Sequence, residues 1–132
     1  IWYNLMYRST INIQNYWRVI VYFDIDYDLF NIIAKDLSSI NCPYKEINNI
    51  YYNMHKEAKA FTFSNRFKHV SIVGFNNHTT RIDYINSIVH ESEHVKQAIL
   101  NTYKVGDSGE PPAYTVGYIV MELYKIFSKL HH

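Results

Sequence analysis

The sequence predicts an α+β fold, in which a sheet containing an antiparallel hairpin packs against long helices. Three observations predict it. Trp17 to Phe23 (WRVIVYF) is a run of β-branched and aromatic residues, the composition of a buried strand. Two more such runs, Ala60 to Ser64 and His69 to Phe75, are separated only by Asn65 to Lys68, close enough for a hairpin. Long segments on either side of residues 106–109 then carry helical periodicity. Only four Gly and three Pro occur, so the elements should be long and the loops few.

Taken in order, Ile1 to Tyr7 is apolar but too short for the hydrophobic region of a signal peptide. The strand 17–23 runs into Asp24, Asp26 and Asp28, spaced like the start of a calcium loop. No Gly stands at the sixth position and Phe30 occupies a ligand position, so these acids mark a strand-to-helix junction. Asp26 to Leu37 reads as a helix with Leu29, Ile32, Ile33 and Leu37 on one face, ended by Asn41-Cys42-Pro43. Tyr44 to His55 has a weaker helical pattern. In the hairpin, Phe61, Phe63, Val70 and Ile72 fit core positions. Thr79 or Thr80 can cap a helix over 81–103. A turn follows at 106–109, and Pro111-Pro112 opens a last helix that reaches about Leu130, since Pro is tolerated in a first helical turn. The chain, 1–132, reads as one domain. Residues 1–59 supply a strand and helices; 60–130 supply the hairpin, the helix 81–103 and the C-terminal helix.

The bulk properties exclude several function classes. Thirteen basic and twelve acidic residues give a net charge of +1, with no basic excess to support nucleic-acid binding. The apolar stretch Val19 to Phe30 contains three aspartates and cannot span a bilayer. Cys42 is alone, so no internal disulfide forms. A cytoplasmic location is therefore expected.

The chemistry lies in His90-Glu91-Ser92-Glu93-His94 (HESEH). On a helical wheel with His90 at 0°, His94 lies at about 40° and Gln97 at about 340°. Ile85, Ile88, Ser92, Val95 and Ile99 fall between about 140° and 220°, on the opposite face. One side therefore packs into a core and the other presents two imidazoles one turn apart, within reach of one tetrahedral zinc ion. Zinc lowers the pKa of a bound water towards ~7 and polarises a carbonyl. Glu91, about 60° around from His94, can take the proton of that water and pass it to a leaving amine. With seven His and six Glu in the chain, shuffling yields HExxH in roughly one to two per cent of sequences. Coincidence on a solvated helix face is the competing explanation. The same residues also read as HxxEH, with Glu93 as the base, which is the inverzincin order. Glu91 and Glu93 are mirror images about the histidine pair on the wheel. Only 38 residues follow His94 (132 − 94), which favours Glu91.

A catalytic zinc needs a third protein ligand and an open position. Glu110 is the first candidate, 16 residues after His94 (110 − 94) at the mouth of the last helix. Asp107 is the fallback, and Glu122 lies three turns further along. An acidic residue favoured only by the helix dipole is the bland alternative for Glu110. Together, HESEH followed by Glu110-Pro111-Pro112-Ala113-Tyr114 resembles the HExxH plus E-x-x-A pattern of gluzincin metallopeptidases, and the chain is similar in size to the small minigluzincins. The match covers roughly Ala60 to Tyr118; residues 1–59 carry no matching motif. The spacing to Glu110 is short for the family and the Pro-Pro after it is unusual, so the departures concern the third ligand rather than the histidines.

The resemblance implies a small zincin-like domain with Zn²⁺ held by His90, His94 and Glu110 and with Glu91 as base. It also implies a peptide or protein substrate added along a strand that edges the cleft ahead of the HExxH helix, the place of 69–75. Tyr114, one turn after Glu110, is the candidate hydrogen-bond donor to an oxyanion, against a plain core or surface tyrosine. Gln97 and Asn101 continue the histidine stripe as outer-shell candidates. His78 could approach the cleft or sit in a polar loop; His55 and His69 read as ordinary. The alternative to an active zinc metallopeptidase is a non-catalytic zincin-like metal-binding or structural protein, such as an assembly component of a phage or mobile element.

Overall fold

A computed structural model describes residues 5–104 and 110–131, with side chains from Tyr114 onward in the second stretch. The α+β class holds: one mixed sheet of four strands carries helices on both faces. The strands are β1 (Tyr7–Ile13), β2 (Trp17–Phe23), β3 (Ala60–Asn65) and β4 (Val70–Phe75). The helices are α1 (Phe30–Ser39), α2 (Tyr44–Lys56), α3 (Arg81–Tyr103) and α4 (Glu110–Leu130), with a 3-10 turn at Tyr27–Leu29 before α1.

Local chemistry explains most boundaries. Asp26 accepts a hydrogen bond from the Asp28 N–H at 3.0 Å and starts the 3-10 turn, so the aspartate run is a strand-to-helix junction, as expected from the missing Gly and from Phe30. Thr80 accepts from the Asp83 N–H at 3.1 Å and caps α3. Lys104, in the left-handed region at φ 56°, ends α3 with its N–H on the Leu100 carbonyl.

Two features differ from expectation. The segment 7–13, where no strand is predicted, forms β1, which pairs antiparallel with β2. Its turn uses Gln14 and Asn15 at φ 50° and 64°, closed by the Tyr16 N–H on the Ile13 carbonyl at 3.0 Å. The Asn12 side chain supports it by accepting from the Asn15 N–H at 2.9 Å. The second difference is the sheet order, β1-β2-β4-β3, with β2 and β4 parallel. Residues 70–75 are thus interior and do not take the cleft-edging place expected of 69–75; the edge strand there is β3.

Period-two alternation sorts the side chains of β2 and β4 between two cores. Val19, Val21, Phe23, Val73 and Phe75 face α3 and α4, where they meet Ile88, Val95, Ile99 and Leu123. Ile20, Tyr22, Val70 and Ile72 face α1 and α2, together with Phe61 and Phe63 of β3, as the hairpin pattern predicts. Each such side chain is worth about 1.5–3 kcal/mol of burial. Gly74 pairs with Phe61 across the β3–β4 ladder, and a Cβ there would lie 2.3 Å from Phe61 Cε1. Only glycine leaves room for that ring. At the far end of the sheet, buried Asp24 accepts from Tyr84 Oη at 3.2 Å and lies 2.8 Å from His131 Nε2, which ties the end of α4 to the end of β2. No helix among the described residues is long and apolar enough to cross a membrane.

Candidate functional site

α3 buries Tyr84, Ile88, Val95 and Ile99 and turns His90 and His94 outward. The i, i+4 spacing stacks the two rings one turn apart, edge to face, with centroids 4.8 Å apart. Their Nε2 atoms lie 3.2 Å from each other. Two nitrogens at the Zn–N distance of about 2.05 Å on a tetrahedral ion stand roughly 3.3 Å apart. Here the two nitrogens meet at hydrogen-bond distance, and the same donor type and separation are what two imidazoles on one zinc ion require.

Glu91 lies beside them and is buried, 5% exposed. Its Oε1 accepts a hydrogen bond from Thr62 Oγ1 at 2.8 Å, while Oε2 faces His90 Nε2 at 3.9 Å. Glu93 turns the other way: its side chain is 51% exposed and pairs with Lys96 Nζ at 2.7 Å. The wheel leaves the two carboxylates equivalent; packing against β3 does not, because only Glu91 shares the histidines' cleft.

That cleft, of about 600 Å³, opens between α2, the edge strand β3 and α3. Glu46 and Asn53 of α2 form one wall, and Thr62 and Ser64 of β3 line another. Gln97 and Asn101 line it as the histidine stripe predicts, but they bond to each other, Gln97 Nε2 donating to Asn101 Oδ1 at 3.0 Å. Thr62 is the participant that sequence reasoning missed. Its signal was present: alternation from Phe61 and Phe63, which face α1 and α2, puts Thr62 on the α3 side of the strand.

The other candidates lie elsewhere. Tyr114 is 72% exposed and lines a different groove with Ile13 and Tyr16 at the β1–β2 turn. α4 carries it to that turn and away from the cleft, so the oxyanion role is withdrawn. Glu122 pairs with Lys125 at 3.7 Å on α4 and does not line the cleft. The Glu110 side chain, Asp107 and the turn 106–109 lie outside the described residues. Among the described residues, no three His, Cys, Asp or Glu side chains group closely enough to hold a metal. His55 stacks on Tyr27 and His69 on Trp17, consistent with ordinary packing roles.

His78 borders a separate cavity of about 340 Å³. Its Nδ1 lies 2.6 Å from the Asn76 carbonyl and its Nε2 2.7 Å from Ser87 Oγ. The carbonyl can only accept, so Nδ1 carries the proton and the Ser87 hydroxyl donates to Nε2. Burial pushes this imidazole below its usual range, partly offset by the bond to Asn76. Unfolded, His78 takes up a proton near pH 6.5; folded, it does so only at lower pH. Between the two values the unfolded chain binds more protons, so stability falls as pH drops below about 6.5. Urea unfolding at pH 7.5 and 5.5 checks this, with a shallower acid decline expected in His78→Gln.

Comparison of the chain with protein-family models, with curated proteins and with solved structures returned no match.

Proposed function

We propose that the chain is a zinc-dependent metallopeptidase of the zincin kind, acting on a peptide or protein substrate. The observation that carries this reading is the 3.2 Å separation of His90 and His94 Nε2 beside the buried carboxylate of Glu91. His90 and His94 would hold the ion, with Glu110 as the third ligand that the gluzincin resemblance implies and Asp107 as the alternative. Bound zinc supplies Lewis acidity, which polarises a carbonyl and lowers the pKa of water towards ~7. Glu91 Oε2, the carboxylate oxygen not bonded to Thr62, takes the proton of the attacking water and returns it to the leaving amine. β3 borders the cleft and pairs with no further strand on its outer side among the described residues, so an extended peptide can add along that edge.

Metal analysis of the purified protein tests the reading. About one zinc per chain is expected, falling to near zero in His90→Ala and in His94→Ala. Wild-type protein free of zinc and indifferent to His90→Ala ends the proposal. One zinc per chain without cleavage of any protein or peptide pool makes the site a structural or relic centre.

A further inference from the structure

We infer that Thr62 is a positioning residue for Glu91, selecting which carboxylate oxygen faces the histidine pair; this rests on the peptidase reading above. The carboxylate of Glu91 has two oxygens, and the rotatable bonds behind them must be fixed by packing and hydrogen bonds. The Thr62 hydroxyl donates to Oε1 at 2.8 Å, and Oε2 is then the oxygen left facing His90 Nε2 at 3.9 Å.

Thr62 suits this task by its place in the strand. It pairs with Val73 on the central strand β4, so its backbone is fixed by the sheet. A β-branched side chain has little χ1 freedom there, and the direction of its hydroxyl is set by the strand. Ala60 and Ser64, two residues to either side on the same face, are small and leave α3 room to approach. A hydroxyl bond to a carboxylate is stronger than one between neutral groups. The same strand lines the cleft and is the sheet's edge among the described residues, so one element sets the orientation of the base and the register of a peptide laid along it.

Thr62→Val keeps the shape and removes the donor; Thr62→Ser restores it. In the zinc-loaded full chain, with fluorescein-labelled casein as substrate, Thr62→Val is expected to lower kcat by about 10- to 100-fold, the scale of an outer-shell or misplacement defect. KM should stay within about twofold and zinc content should not change, because the interaction orients the base without holding substrate or metal. Thr62→Ser, which keeps the donor without the β-branch, should recover part of kcat. A second readout uses the metal-free protein. There Thr62→Val is expected to lower Tm by about 5 °C when Glu91 is present and to change it little in a Glu91→Ala background, as coupled residues require.

Wild-type kcat in Thr62→Val, no recovery of kcat in Thr62→Ser, or additive Tm effects in the metal-free cycle overturns the positioning role alone. Absence of Glu91-dependent cleavage in the wild type overturns the peptidase reading, and the role of Thr62 with it.

Discussion

Replacing Glu91 by Gln is expected to lower kcat by about 10²- to 10⁴-fold, the usual worth of a general base, while zinc content stays near one per chain. Gln keeps the length of the side chain and an oxygen for the Thr62 hydroxyl, so the packing around the site survives. What disappears is the ability to take a proton. Glu93→Gln is the matched control, expected to leave kcat within about twofold. Its side chain is half exposed and does not line the cleft, but its partner Lys96 is buried, so the substitution is expected to lower stability rather than kcat. Casein cleavage measured beside zinc content separates the cases. The opposite pattern, with Glu93→Gln inactive and Glu91→Gln active, would make Glu93 the base and reverse the motif to the inverzincin order.

The contrast between these two carboxylates marks where the sequence stops being informative. A helix fixes His90 and His94 on one face by geometry alone, so the pair was legible from spacing. Glu91 and Glu93 flank that pair symmetrically, and no property of an isolated helix distinguishes them. The distinction comes from β3, which packs on one flank and supplies Thr62; that is a contact between residues 29 apart. Tyr114 failed for a related reason. Its place one turn after Glu110 said nothing about which side of α3 the last helix takes, and α4 brings it to the β1–β2 turn.

The fold divides in the same way. β2 and the β3–β4 hairpin were legible because their apolar residues are dense or alternate in short reach. β1 was not. Residues 7–10 leave their side chains largely exposed or half-buried, only Ile11 and Ile13 are buried, and the turn at Gln14-Asn15 lacks the glycine that usually announces such a hairpin. The parallel pairing of β2 with β4 has no local signature either, since it joins segments some 50 residues apart in sequence through α1, α2 and β3.

The largest stability effect is expected at Trp17. Its side chain is 2% exposed at the start of β2, among the residues that face α3 and α4, and its ring stacks on His69 with centroids 5.5 Å apart. Nε1 donates to Ser71 Oγ at 3.0 Å, and Ser71 Oγ lies 2.7 Å from Ser64 Oγ. This chain of bonds crosses from β2 through β4 to β3, and Ser64 lines the cleft. Trp17→Ala leaves a cavity and is expected to cost about 3–5 kcal/mol, a large share of the 5–15 kcal/mol typical of a domain. Trp17→Phe isolates the polar part: most of the ring volume stays, and Ser71 keeps Ser64 as a partner, so no buried hydroxyl is stranded. Its expected cost is about 1–2 kcal/mol. Urea unfolding of the three proteins checks the order. A Trp17→Phe loss as large as that of Trp17→Ala would mean that the hydrogen-bond chain, rather than the packed ring, holds the three strands in register at the cleft.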